Sequence, residues 1–224
     1  MTTMTKDHQP QGIPQITPEM GRIPLQGNEV LNFGLGWDAA AEDGSLFGRA
    51  RKVAKRATGE ANDSDADAFA VAYTRNKPIA FAGLDSLDPW HGREGAGSMT
   101  SEGDAKTGNE VADGDDETLT VRLASLPQRV DKILITCGAF KKGSDQRKIR
   151  NMIATIYNST DGQKTPMAFA EPSLLRPKHM MAIGLLERDG GVWYFRALDE
   201  SFDITQGELD SLLERSVAVA SRVV

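Results

Sequence analysis

The sequence predicts a mainly β fold, a sandwich or barrel of about nine short strands with a helix at its C-terminal end and one basic helix inserted near its start. Three observations carry this expectation. Short runs rich in apolar and β-branched residues recur from residue 30 to residue 198, each bounded by turn-forming residues. Residues 119–123 alternate apolar and polar, as a half-buried strand should. Asp161-Gly162 and Asp189-Gly190-Gly191 lie between such runs and read as hairpin turns.

Taken in order, residues 1–29 hold Pro10, Pro14, Pro18 and Pro24 among polar residues without periodicity, which reads as an extended arm, most simply a disordered tail. The domain is expected over 30–224, opening on a strand at 30–37 that closes on Gly34 and Gly36. A helix at 45–58 follows, with Arg49, Arg51, Lys52, Lys55 and Arg56 set against an apolar stripe of Leu46, Ala50, Val53, Ala54 and Ala57. Such a helix reads first as a solvated basic face over a packed stripe, and alternatively as a peripheral contact for membrane surfaces or acidic partners. Strands are expected at 68–74 and 79–82, joined across Arg75-Asn-Lys-Pro78, and then at 119–123, 133–140, 152–157, 167–170, 179–187 and 192–198. Thr205-Gln-Gly-Glu208 has the spacing of a capping box, and Leu209, Leu212, Leu213, Val217 and Ala220 follow at helical intervals, predicting a helix packed on the sheet.

Composition narrows the function. A chain of 224 residues accommodates one well-cored domain with extensions, or two small ones. Its net charge of −6 argues against wholesale nucleic-acid binding and suits cation binding. One cysteine, Cys137, permits no intrachain disulfide, and its place in an apolar run reads as a small buried hydrophobe. His8, His91 and His179 are scattered, with no metal-ligand spacing. No apolar run approaches the roughly 18 residues of a membrane span. The polar start shows no signal-peptide pattern, so a cytoplasmic protein is the default expectation.

The chemistry concentrates in two acidic segments. Asp63-Ser-Asp65-Ala-Asp67 sets carboxylates at alternate positions immediately before a strand. Residues 102–117 carry Glu102, Asp104, Glu110, Asp113, Asp115, Asp116 and Glu117 against a single base, Lys106. Crowded carboxylates repel unless a cation relieves them, and hard divalent ions with six to eight oxygen ligands fit that need. Neither segment is an EF-hand: counted from Asp63, the glycine and final acidic positions fall on Ala68 and Thr74, and counted from Asp113 on Thr118 and Ala124. The bland alternative is a pair of solvated acidic loops.

Five motifs in order resemble the TerD family, over most of residues 30–213. Asn32-Phe-Gly-Leu-Gly-Trp-Asp38 resembles the family's opening strand, and Asp63-Ser-Asp-Ala-Asp-Ala-Phe69 its Asp-Leu-Asp-Ala-Ser-Ala-Phe signature. Gly103-Asp-Ala-Lys-Thr107-Gly108 is similar to its Gly-Asp-Asn-x-Thr-Gly loop, and Gly114-Asp-Asp-Glu117 to its Gly-Asp-Asp-Glu. Gly184-Leu-Leu-Glu-Arg-Asp-Gly-Gly-Val-Trp193 resembles the closing hairpin. The resemblance implies a two-sheet β-sandwich, a link to tellurite resistance and stress responses, and one or two Ca2+ ions held by the acidic loops. It implies Asp63, Asp65, Asp104, Asp115, Asp116 and Glu117 as ligands, with Thr107 and Gly108 shaping the loop. The chain departs from the pattern at Ala105, where the family has Asn. It also departs through insertions at 39–62 and 85–101, added residues within 109–113, and the proline-rich arm.

No Gly-Lys-Ser/Thr phosphate loop or nucleophile elbow is present, and Gly34-Leu-Gly-Trp-Asp38 lacks the third glycine of a dinucleotide fingerprint. The expected function is therefore a non-catalytic binding module with an unknown protein partner. One alternative is a subunit of a larger assembly, a phage particle (hence a virion location) or a filament, self-assembling through residues 1–29. A less favoured one is a metal-dependent phosphoryl hydrolase.

Overall fold

The computed structural model describes residues 12–39, 66–84, 86–102, 115–171 and 179–222. Among these, eleven strands and one α-helix are found: β1 (Arg22–Pro24), β2 (Val30–Ala39), β3 (Asp67–Thr74), β4 (Lys77–Ala82), β5 (Met99–Ser101), β6 (Glu117–Arg122), β7 (Lys132–Gly138), β8 (Ile149–Asn158), β9 (Thr165–Ala170), β10 (Met180–Asp189), β11 (Val192–Phe202) and α1 (Leu209–Arg222). They form a sandwich of two antiparallel sheets, one ordered β1-β11-β10-β7-β3-β4 and the other β5-β6-β2-β8-β9.

The two sheets are buried differently, and the sequence shows why. Along β2 the apolar residues Leu31, Phe33 and Leu35 face inward, while Asn32 and the glycines face the other way. Leu119 and Val121 of β6 and Met152, Ala154 and Ile156 of β8 complete that inner face. Ala68, Ala70 and Ala72, Ile133 and Ile135, and Ile183 and Phe195 oppose them from the six-stranded sheet. Phe33 and Phe195 meet across the gap with ring centroids 5.9 Å apart. The outer face of the six-stranded sheet is apolar as well: Phe69, Val71, Tyr73, Leu134, Met180 and Leu185 pack beneath Leu212, Val219 and Ala220 of α1. Strands buried on both faces read as continuous apolar runs, which is how β3, β7 and β10 appear in the sequence.

Polar contacts help to seat helix α1: Tyr73 Oη donates to Ser216 Oγ at 2.6 Å, Ser216 Oγ donates onward to the Leu213 carbonyl, and Lys132 Nζ donates to the Ala220 carbonyl at 2.8 Å. Burial pushes the Tyr73 phenol well above its ordinary value. The helix begins later than the capping-box spacing suggested. Its first residue is Leu209, so Thr205 stands a full turn too early to cap it, and the Thr205 N–H donates instead to Ser211 Oγ at 2.9 Å.

The structure also revises the arm. Within residues 12–29, Ile16 is only 6% exposed and belongs to the inter-sheet core. Its N–H donates to the Phe169 carbonyl at 2.7 Å, the Phe169 N–H donates to the Pro14 carbonyl at 3.1 Å, and β1 pairs with β11. This part of the chain adds a strand to its own sheet. A three-residue strand and a single buried isoleucine leave no periodic signal. The described part of the expected insertion at 85–101 carries β5 and places Trp90 in the core, with Asp88 accepting from the N–H groups of Trp90 and Gly97 at 3.0 and 2.9 Å. The predicted helix at 45–58, and nearly all of the insertion at 39–62, lie outside the described residues.

The edge strands are protected. Pro24 lies in β1, Pro78 in β4 and Pro166 in β9, and β5 is three residues long. Register shifts accompany the prolines of β4, between Ala72 and Tyr73, and of β9, between Ile156 and Tyr157. Proline and bulges both blunt edge-to-edge pairing.

Leu212→Ala should lower the unfolding free energy by about 3 kcal/mol through the cavity left under α1. Tyr73→Phe should cost about 1 kcal/mol through the lost hydrogen bond. Urea unfolding followed by circular dichroism measures both.

Candidate functional site

The strand registers send the acidic segments to one end of the sandwich. In the six-stranded sheet Asp67 pairs with Gly138, Gly138 with Met180 and Met180 with Phe202, so β3 and β10 start where β7 and β11 finish. In the other sheet Leu35 pairs with Glu117 and Ala39 with Ile149, so β2 finishes where β6 and β8 start. A hydrogen bond from Ala68 N–H to Glu117 Oε2 at 2.6 Å joins the two ends. The bases of both acidic segments, at residues 66–68 and 115–117, therefore meet. Of the sequence-predicted ligands, Asp63, Asp65, Asp104, Thr107 and Gly108 lie outside the described residues. Asp115, Asp116 and Glu117 lie within them.

Each of those three acids does something different. Asp116 prolongs the β2–β6 ladder: its N–H donates to the Leu35 carbonyl at 2.7 Å and its Oδ2 accepts from the Trp37 N–H at 2.9 Å. Glu117 pairs opposite Leu35 on the inner face and is only 6% exposed, a carboxylate in the mouth of the core. Its charge adds to burial in pushing the Cys137 thiol far up, which keeps that sulfur protonated and unreactive at neutral pH. Asp115 turns the other way. Its carboxylate lies on the outer face of the five-stranded sheet, against Gly34, where a β-carbon would overlap it. There Lys164 Nζ, from the β8–β9 hairpin, bonds to Asp115 Oδ2 at 2.7 Å and sits 4.3 Å from the centre of the Tyr157 ring. Burial, and then the charge and hydrogen bond of Asp115, push the Tyr157 phenol up to about 12.

A fourth carboxylate, Asp67, was not among the predicted ligands. It is 1% exposed and lies on the helix-covered side of the six-stranded sheet, facing Lys141, whose Nζ is 3.3 Å from Oδ1 and whose N–H donates to Oδ2 at 3.3 Å. Asp67 stands where the family signature Asp-Leu-Asp-Ala-Ser-Ala-Phe has its serine. Lys141 and Lys164 carried no local signal, because each meets its acid across a long stretch of sequence.

Asp115, Glu117 and Asp67 thus face three different compartments. Among the described residues no three His, Cys, Asp or Glu side chains converge as a group able to hold a metal. What the described residues supply at the shared mouth is Asp116 beside the buried Glu117, both oxygen donors. That chemistry fits part of the shell of a hard cation and does not fit zinc or copper.

The architecture defines a two-sheet antiparallel β-sandwich with an acidic loop end. The TerD domain family model matches residues 22–215, beginning at the first residue of β1. The chain belongs to the TerD family. It is 28% identical over 176 residues to the tellurium resistance protein TerD of Serratia marcescens, covering 75% of this chain and 79% of that protein. It is 29% identical over 177 residues to the tellurium resistance protein TerZ of the same organism, covering 75% and 78%. Among solved structures, a homologue of the telluride resistance protein TerD from Streptomyces coelicolor superposes with a TM-score of 0.57 at 14% identity, covering 80% of this chain and 92% of that one. A crystal structure of a protein of unknown function superposes with a TM-score of 0.59 at 18% identity, covering 81% and 93%. These two likenesses concern the fold alone. Among the described residues, no helix is long and apolar enough to cross a membrane.

Glu117→Ala should leave the Ala68 N–H buried without its acceptor and cost about 2 kcal/mol, read by thermal unfolding. Asp115→Asn should bring the Tyr157 phenol down from about 12 by removing the adjacent negative charge, with desolvation keeping it above an ordinary tyrosine. Because that phenol is raised in the folded state, its contribution to stability is complete below the ordinary tyrosine pKa near 10 and is lost as pH rises through about 12. Carbon-13 tyrosine NMR across an alkaline titration resolves Tyr157 from Tyr73 and Tyr194.

Proposed function

We propose that this TerD-family chain is a non-catalytic module that binds Ca2+ through its acidic loop end and presents that end to a protein partner. The observation that carries the reading is the Ala68–Glu117 hydrogen bond, which ties together the bases of two acidic segments that are distant in sequence. With the bases of two acidic segments meeting at one mouth and Glu117 withdrawn from water, negative charge there favours a cation nearby. Asp116 and Glu117 would hold the ion from the sheet side, and Asp63, Asp65 and Asp104, with Thr107 and Gly108, would complete the shell from the loops. A bound ion would supply a positive centre that orders both segments. A role in tellurite resistance comes to this chain from its relatives' names.

The assembly alternative draws no support from the described geometry. Residues 12–29 are used within the chain, and the edge strands carry prolines that resist edge-to-edge pairing.

Thermal unfolding in EDTA and across a calcium titration tests the reading. Free Ca2+ at 100 times its dissociation constant should stabilise the fold by about 2.7 kcal/mol if only the native state binds. The Asp63→Asn/Asp116→Asn double variant should lose that response. A midpoint that ignores calcium, or a response that survives the double substitution, would remove the loop end as the site.

A further inference from the structure

The end of the sandwich away from the acidic loops carries the opposite charge. There Tyr73 pairs with Lys132 and Lys132 with Glu187, so β3 and β10 finish where β7 starts, and in the facing sheet β6 finishes at Arg122. Residues 127–132 form the hub of this end. The Arg75 N–H donates to Asp131 Oδ2 at 2.6 Å and Thr74 Oγ1 donates to the Arg129 carbonyl at 2.6 Å, which brings in the β3–β4 turn. A β-carbon on Gly95 would lie 2.7 Å from Pro127, and Arg129 Nη1 is 3.1 Å from Glu94 Oε2, which brings in the loop before β5. Arg122 Nη1 donates to the Gly97 carbonyl of that loop at 2.8 Å. Arg75, Lys77, Arg93, Arg122 and Arg129 are all exposed here.

The carboxylates of the same end are engaged within it. Asp88 accepts from the N–H groups of Trp90 and Gly97, Asp131 accepts from that of Arg75, and Glu94 is taken up by Arg129. Asp189, at the β10–β11 turn, is held by Arg22 at 2.9 Å. Among the described residues, the side chains of Arg75, Lys77 and Arg93 have no such partner. In a chain of net charge −6, the fold thus sets unpaired cations together at one end.

Four of the five exposed cations are arginines, whose planar fork matches a carboxylate with two parallel hydrogen bonds. Glu94 already sets one carboxylate against Arg129. We propose that this basic end is a docking surface for an acidic segment of a partner protein, a run of Asp and Glu side chains received by Arg75, Lys77 and Arg93. An extended polyanion, such as duplex DNA or an anionic bilayer, would overreach the end and meet the field of a chain that is negative as a whole. A short acidic segment stays within the end. The seven residues of β7 separate it from the acidic loops by roughly 20 Å of strand, against a Debye length of about 8 Å. The proposal is independent of the calcium reading.

Fluorescence anisotropy of a labelled oligoglutamate peptide tests it, titrated with the full chain in EDTA at physiological ionic strength. The chain should bind the peptide, and Arg75→Glu/Arg93→Glu should weaken binding about tenfold, the scale of two exposed ion pairs reversed in sign. Lys142→Glu/Arg147→Glu makes the same change in net charge at exposed positions of the β7–β8 loop, at the other end, and should stay near the wild type. If the first pair folds poorly by circular dichroism, Arg75→Gln/Arg93→Gln replaces it, with an expected loss of about threefold. No peptide binding by the wild type would overturn the proposal, and so would an equal loss in both charge-reversed pairs. Tighter binding to anionic vesicles or duplex DNA than to the peptide would overturn it as well. Because EDTA removes free calcium, each of these outcomes leaves the calcium reading to its own titration.

Discussion

Strands β3, β7 and β10 have no solvent face, and the arrangement of everything else depends on that constraint. Their inner residues, among them Ala70, Ile135 and Ile183, pack on the facing sheet, while Val71, Leu134 and Leu185 lie under α1. A one-residue slip in any of these strands would exchange one apolar layer for the other and misfit both, so the register is pinned from two sides. Fixed registers fix where the strands end, and the ends decide which loops are neighbours. The meeting of residues 66–68 with residues 115–117 is a consequence of core packing, made before any ion is considered.

The strands with that double burial were also the ones most legible in the sequence. Residues 68–74, 133–140 and 179–187 read as apolar runs, and the structure places β3, β7 and β10 over nearly the same positions. Strands β1 and β5 were not legible because each is three residues long and is held by pairing more than by burial of a periodic face. The start of α1 departs from the sequence pattern for a different reason. A Thr-x-x-Glu spacing signals a cap only when the chain turns helical at once, and here a turn ending at Glu208 intervenes, with the Glu208 N–H donating to the Thr205 carbonyl. Local pattern and local geometry agreed on the helix and disagreed on its first turn.

The segment preceding β2 shows how a proline-rich stretch can be ordered without regular structure of its own. Pro14 and Ile16 pair with Phe169 at the edge of one sheet, and β1 then pairs with β11 at the edge of the other. The chain thus crosses from one sheet to the other along the open side of the sandwich, burying Ile16 as it passes. Proline suits this role because the outward side of an edge needs no donor. The same residues that made the stretch look like a tail therefore allow it to close an edge without offering a new one.

The candidate site was legible in composition and opaque in geometry. Counting carboxylates in 102–117 identified the region, but a count treats Asp115, Asp116 and Glu117 as one group. The fold separates them: Glu117 enters the core mouth, Asp116 completes a ladder, and Asp115 crosses to the outer face to meet Lys164. Charge density alone would make three adjacent acids repel strongly. Their distribution lowers that repulsion by giving each a different partner, a backbone N–H for two and an ammonium for the third. Divided in this way, three acids adjacent in sequence share the start of one strand without facing one another, and a count of carboxylates has no means of showing it.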